Sequence, residues 1–136
     1  MGTIGSRYRV LIVDDEEPMR LLLAHYMKEA LNAEVSLAGT CEQALHLAKA
    51  ESYDIILLDL LMPGIGGFEV LKRIRTDSAN KSTPVIIVSI LATSIAGDAS
   101  TAYERAMALG ANEFVAKPVT RNALISAVKG QLRIKI

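Results

Sequence analysis

The sequence predicts a doubly wound α/β domain, with five parallel strands in the order 2-1-3-4-5 flanked by five helices. Three observations lead there. Ile55–Leu58 is an unbroken apolar run, too short for an ordinary helix and too apolar for a half-exposed strand, as a central strand buried on both faces should be. Strand-like runs alternate with helix-spaced segments along the chain, joined by short connections. Residues capable of chemistry then follow the strands: Asp14 and Asp15, Asp59, Ser89 and Lys117. The carboxyl ends of the strands are where open parallel sheets gather function. Right-handed crossovers leave few other arrangements, and this one puts the third strand between the first and fourth.

In chain order, Tyr8–Val13 (YRVLIV) reads as the first strand and runs into Asp14, Asp15, Glu16 and Glu17. Pro18 suits the first turn of a helix, where its missing N–H costs nothing. Met19, Leu22, Leu23, Tyr26, Met27 and Ala30 recur at helical spacing to about Leu31. Glu16 and Glu17 are explained by the helix dipole; Asp14 and Asp15, one step earlier, are less easily dismissed. Glu34–Ala38 is a short second strand. Thr40 and Gln43 form a capping box for a helix to about Ala50, with Ala44, Leu45, Leu47 and Ala48 inward. After the central strand and a Pro/Gly-rich turn, GFEVLKRIRT (67–76) makes a third helix with Val70, Leu71 and Ile74 inward. Pro84–Ser89 (PVIIVS) is the fourth strand. The mixed segment 90–100 precedes a helix that resumes near Thr101 and stops at Gly110, a C-terminal cap. Glu113–Ala116 is the fifth strand, followed by Lys117–Pro118. Thr120 caps a last helix to roughly Leu132, with Leu124, Ile125 and Val128 inward.

The chain has 136 residues, enough for one domain that withdraws roughly two-thirds of its unfolded surface from water. Fifteen basic residues balance fifteen acidic ones, which argues against a dedicated nucleic-acid or membrane-surface binder. No apolar stretch approaches the ~20 residues of a membrane span. Cys41 is the single cysteine, so an intrachain disulfide is impossible and a reducing cytoplasm is the natural compartment. Residues 1–7 lack the apolar core of a signal peptide and read as a loose arm. One domain spanning 1–136, with no output domain after its last helix, is the expected organisation.

The strand order sends two acids, a third acid, a hydroxyl and an amine to one rim. At ~5 Å and an effective dielectric near 20, each carboxylate pair repels by roughly 3 kcal/mol. A hard divalent cation relieves that, and Mg²⁺ suits a few carboxylates plus waters and a phosphate oxygen. Lys117 adds a point charge of the kind that meets phosphate. A carboxylate can attack phosphorus to form an acyl phosphate, with the metal and the lysine stabilising the phosphoryl oxygens and Ser89 donating a hydrogen bond to one of them.

The stretches VLIVDDEEP, DIILLDLLMPGIGGFE, VIIVS and GANEFVAKP carry a resemblance. From Tyr8 to about Leu132 the sequence resembles a response-regulator receiver domain of two-component signalling, a flavodoxin-like fold, and is similar to the stand-alone chemotaxis regulators. That resemblance implies Asp59 as phosphoacceptor, with Asp15 and Asp59 binding Mg²⁺ directly and Asp14 largely through water. It implies the Leu61 backbone carbonyl as a further metal ligand, Lys117 as a phosphoryl contact before a cis Pro118, and Ser89 with Phe114 as a pair that rearranges on phosphorylation. The donor would be a histidine of a sensor kinase or phosphotransfer protein, met near the first helix. A downstream partner would meet the fourth helix, fifth strand and fifth helix.

The sequence also departs from the family. Ile90 stands where the residue is usually small, so its bulk narrows access. The segment between Ser89 and Gly110 is several residues longer than the pattern, in the region that normally moves. Leu61 and Leu91 replace polar side chains that help position hydrolytic water, which predicts slow loss of phosphate.

Plainer readings stand beside these. Asp14 and Asp15 could be helix-capping acids, Asp59 a turn residue before Pro63, Lys117 a surface lysine and Phe114 core packing. His25 and His46 have no partner at metal spacing, and Cys41 reads as a spectator thiol. Met19, Met27, Met62 and Met107 read as gap-fillers. The leading function is a phosphorylation-controlled switch whose only chemistry is on Asp59. The alternatives are a phosphate-independent receiver acting as an interaction module, and a small aspartyl-phosphate phosphohydrolase. The hydrolase lacks its expected second acid, since that position is Leu61.

Overall fold

The computed structural model describes residues 7–90 and 99–133, the side chains of 99–101 excepted. Five strands, β1 (Arg9–Val13), β2 (Glu34–Ala38), β3 (Ile55–Leu58), β4 (Val85–Ser89) and β5 (Glu113–Ala116), form one sheet in the order β2-β1-β3-β4-β5. Every pairing is parallel. The helices between and after them are α1 (Glu17–Leu31), α2 (Cys41–Ala50), α3 (Gly66–Thr76), α4 (Ala99–Ala108) and α5 (Arg121–Leu132).

Alternation along each strand sorts the core into two layers. Leu11, Val13, Ile56, Leu58, Val85 and Ile87 face one way and pack on Ala44 and Ala48 of α2, on Val70, Leu71 and Ile74 of α3, and on Ala106 of α4. Val10, Ile12, Ile55, Leu57, Ile86 and Val88 face the other way and pack on Leu23 and Met27 of α1 and on Leu124, Ile125 and Val128 of α5. All four residues of β3 are buried, because both faces of the central strand are covered. At roughly 1.5–3 kcal/mol for each large apolar side chain withdrawn from water, these layers dominate the fold's stabilisation.

The helix ends follow the local signals. Thr40 Oγ1 accepts the Gln43 N–H, while Gln43 Oε1 reaches back to the N–H of Gly39 rather than of Thr40, so the box closes one residue early. Thr120 Oγ1 accepts the Ala123 N–H, and Gly110 follows α4 with φ +108°. The Lys117–Pro118 bond is cis.

Some inward positions differ from the sequence reading. Leu22 is exposed, because the stripe that meets the sheet runs through Leu23, Ala24 and Met27, a step round the helix from it. In α2 the deep positions belong to Cys41, Ala44 and Ala48, and Leu45 and Leu47 flank them half-buried. Arg7, assigned to the loose arm, donates to the carbonyls of Asn32 and Ala33 and so belongs to the folded unit. Residues 1–6, the long segment at 91–98 including Leu91, and residues 134–136 lie outside the described residues.

Candidate functional site

Register builds the site. Val13 stands opposite Leu58, and Ser89 opposite Ala116, so the residues that end or follow these strands emerge together. The ladder also runs one residue past each strand. Asp14 N–H donates to Ala38 O, Asp59 N–H to Val13 O and Lys117 N–H to Ser89 O, at 3.1, 3.0 and 3.1 Å. Their backbones are therefore fixed by neighbouring strands rather than by loops.

The side chains then converge. Lys117 Nζ lies 2.9 Å from Asp14 Oδ2 and 3.2 Å from Asp59 Oδ2. Asp14 is 1% exposed and Asp59 5%. Asp15 sits exposed at the mouth, and a carboxylate oxygen from each of Asp14, Asp15 and Asp59 lies within 4.8 Å of the others. Asp15, Glu16, Asp59, Leu61, Ile90 and Lys117 line a cleft of about 240 Å³. Ser89 is fully buried at the end of β4. Phe114, half-buried on β5, packs against the α2–α4 layer, its ring 5.9 Å from that of Tyr103.

Burial pushes the Asp59 carboxyl above its ordinary range, and the Asp14 charge adds to that; the Leu61 N–H and Lys117 work against it. Burial disfavours the charged form of Lys117, but hydrogen bonding to Asp14 and the two acid charges outweigh it, and its pKa is raised. The pocket thus holds a firmly charged ammonium between two acids. Three hard oxygen donors so close, two of them buried, could hold a divalent metal ion, and a few carboxylates leaving room for water suit Mg²⁺.

No side chain caps α1, whose N-cap is Glu16, so the capping reading fails for Asp14. Its Oδ1 accepts the Glu16 N–H at 2.9 Å while its other oxygen faces the pocket. Glu16, explained by the helix dipole alone, also lines the cleft, with Oε1 3.9 Å from Lys117 Nζ. Arg20 was not singled out from the sequence, yet its Nη1 donates to the Asp14 carbonyl at 2.8 Å. Its place one helical turn after Glu16, on the face nearest the acids, is the signal that could have found it. Leu61 and Ile90 stand in the cleft wall, 45% and 44% exposed. His25 and His46 are exposed, and Cys41 is buried with its thiol 3.5 Å from the Pro63 carbonyl.

The model of the response regulator receiver domain matches residues 10–129. Response regulator PleD of Caulobacter vibrioides is 34% identical over 129 residues, covering 94% of this chain and 27% of PleD. Sensory/regulatory protein RpfC of Xanthomonas campestris pv. campestris is 34% identical over 122 residues, covering 88% of this chain and 16% of RpfC. The chain thus spans about a quarter or less of the length of these relatives. The solved chemotaxis response regulator CheY4 of Vibrio cholerae superposes with a TM-score of 0.82 at 28% identity, covering 93% of this chain and 99% of that one. A match over nearly the whole chain, on a sheet whose strand ends bring the acids and the lysine together, settles the assignment: the chain belongs to the response regulator receiver domain family.

Proposed function

We propose that the chain is a phosphorylation-controlled switch in which Asp59 accepts a phosphoryl group from the histidine of a sensor kinase or phosphotransfer protein. The observation that carries this is Lys117 Nζ, held between Asp14 and Asp59 with Asp15 beside them. An ionised Asp59 oxygen attacks phosphorus, the P–N bond breaks, and its electron pair returns to the imidazole nitrogen, which takes up a proton. The residues that would hold Mg²⁺ are Asp15 and Asp59 directly, Asp14 largely through water, and the Leu61 carbonyl; the chemistry supplied there is neutralisation of charge on the phosphoryl oxygens.

Lys117 contributes the same kind of charge from the opposite side by exchanging its contact with Asp59 for one with the phosphoryl group. Ser89 donates a hydrogen bond to a phosphoryl oxygen, and Phe114 repacks with it. The altered surface, built from α4, β5 and α5, meets an unidentified downstream protein, while the donor docks near α1. The receiver domain works in the cytoplasm and turns over nothing but its own phosphoryl group.

The test is intact-mass measurement after incubation with Mg²⁺ and a small phosphoryl donor, on the wild type and on Asp59→Asn. The expected result is one phosphoryl adduct, absent from the variant. Ile90, half-exposed in the cleft wall, favours a second reading, a receiver that binds partners without phosphate. Absence of any adduct from both a small donor and a kinase would select it. Continuous phosphate release at enzyme-like rates would instead mark a hydrolase.

A further inference from the structure

Arg20 lies outside the acid pocket but grips the segment that carries it. Its Nη1 donates to the Asp14 carbonyl, a second restraint on the peptide joining Asp14 to Asp15 beside the turn closed by Asp14 Oδ1 and the Glu16 N–H. The Asp14 side chain is already fixed by the Glu16 N–H and by Lys117. Among the described residues nothing holds the Asp15 side chain in this way, so the direction of its carboxylate depends on the orientation of that peptide.

The guanidinium has a seat of its own. A Cβ placed on Gly39, just past the end of β2, would lie 2.7 Å from Arg20 Nη1 and 3.1 Å from Cζ. Gly39 is not among the glycines with positive φ, and its N–H is bound to Gln43 Oε1. What position 39 requires is therefore space, and the space is filled by the arginine.

We infer that Arg20 is a positioning residue for the cation site: seated over Gly39, it holds the Asp14 carbonyl and thereby aims Asp15 at the point where the three acids converge. This rests on the metal-binding role proposed above for those acids. Two effects of removing Arg20 oppose each other. Loss of a positive charge near three carboxylates would tighten cation binding, whereas loss of the grip would weaken it. Outer contacts that orient metal ligands typically affect affinity by about 10- to 100-fold, which predicts that the grip dominates.

Gly39→Ala separates the two. It keeps the arginine charge and the backbone, and the three atoms nearest the added methyl all belong to the flexible end of the Arg20 side chain, which swings aside without breaking the fold. Mg²⁺ titration by calorimetry on the full chain is expected to show roughly tenfold weaker binding for both Arg20→Gln and Gly39→Ala. The double variant should be no weaker than Arg20→Gln alone, because both changes remove one contact. Arg75→Gln, which loses contacts to Gly110, Asn80 and Asn112 at the far end of the sheet, should bind Mg²⁺ like the wild type.

Tighter binding by Arg20→Gln with Gly39→Ala unchanged would show that Arg20 acts only as a charge and would overturn the inference. Equal binding by all variants, or equal weakening in Arg75→Gln, would overturn it too. If the wild type bound no Mg²⁺, the metal-site reading would fail instead. Amide exchange at Glu16 without metal still judges the grip: it should quicken in Arg20→Gln and Gly39→Ala, and an unchanged rate in both would overturn it.

Discussion

Asp14 and Asp59 are held by the same pair of contacts. In each, Oδ1 accepts the backbone N–H two residues onward, from Glu16 and from Leu61, and Oδ2 accepts from Lys117 Nζ. Strands β1 and β3 are neighbours, so two identical local turns face one another across a shared ammonium. Each acid is thereby pinned by its own backbone. The lysine is the one part of the arrangement that can change partners without unfolding a turn.

Replacing Lys117 with methionine should therefore cost stability before it costs anything else. Two almost fully buried carboxylates would lose their counter-charge, a change worth about 3–5 kcal/mol when a buried pair is broken. Protonation of Asp59, already favoured by burial, caps the loss. Urea unfolding in EDTA should show the reduced midpoint. Added Mg²⁺ should recover more stability in the variant than in the wild type, and equal recovery in both would contradict the shared-ammonium account.

The cleft wall predicts a long-lived phosphoryl group. Leu61 and Ile90 are the half-exposed side chains beside Asp59, and neither can orient a water for attack on phosphorus. Leu61→Gln puts a donor and an acceptor at the same place and should shorten the lifetime roughly tenfold, equivalent to about 1.4 kcal/mol of barrier. The decay of the adduct, followed by intact mass at neutral pH, measures this. A wild-type half-life of only seconds would show that the apolar wall of Leu61 and Ile90 does not protect the phosphoryl group.

At the other end of the sheet, Tyr53 offers a pH test that leaves the site alone. Among the described residues its hydroxyl is the one buried side-chain polar atom without a hydrogen-bond partner. Burial raises its pKa above the usual 10.0; the Ser36 side chain, close by but not in hydrogen-bonding geometry, opposes this most, the Glu51 charge adds to the rise, and Arg9 has a smaller opposing influence. A phenol with a raised folded pKa adds no penalty below 10.0; as pH rises past it, the unfolded chain ionises first and stability falls. Tyr53→Phe should be neutral, or stabilising by about 1 kcal/mol, at pH 7, since it removes an unsatisfied buried group. It should also flatten the alkaline loss of stability. Thermal melts at neutral and strongly alkaline pH compare the two.

What was legible in the sequence is what periodicity and chain order encode. The buried run Ile55–Leu58, the helical stripes and the placing of chemistry after strands were enough to bring Asp14, Asp15, Asp59, Ser89 and Lys117 to one rim. Contacts between residues far apart in the chain left no such trace. Asn80 reads as an ordinary loop residue, yet it is buried and bonds Tyr53 N, Ala48 O and Glu51 O at once. Arg75 reads as one of several bases favoured near the end of α3, yet it ties that helix to Gly110 and Asn112. Leu22 was misassigned because a helix with leucines at three successive positions does not say which of them faces the sheet.

The glycines after Pro63 make the same point and supply the last prediction. Composition alone marks Gly64, Gly66 and Gly67 as turn residues, but they are glycines for different reasons. Gly64 has φ +91° and open space around it, so alanine there meets only backbone strain of about 1 kcal/mol. A Cβ on Gly67 would lie 2.4 Å from Leu60 Cα and 2.5 Å from Asp59 O, both backbone atoms that no rotamer change can move aside. The first turn of α3 is pressed against the peptide that follows Asp59, and the Gly67 N–H donates to Leu60 O at 3.1 Å. Gly67→Ala must displace that peptide, at an overpacking cost of about 2–3 kcal/mol, and Asp59 must shift with it. Both unfolding midpoint and adduct formation should therefore fall in Gly67→Ala, while Gly64→Ala loses only a little stability and still forms the adduct. Normal adduct formation in a destabilised Gly67→Ala protein would show that the position of Asp59 does not depend on the start of α3.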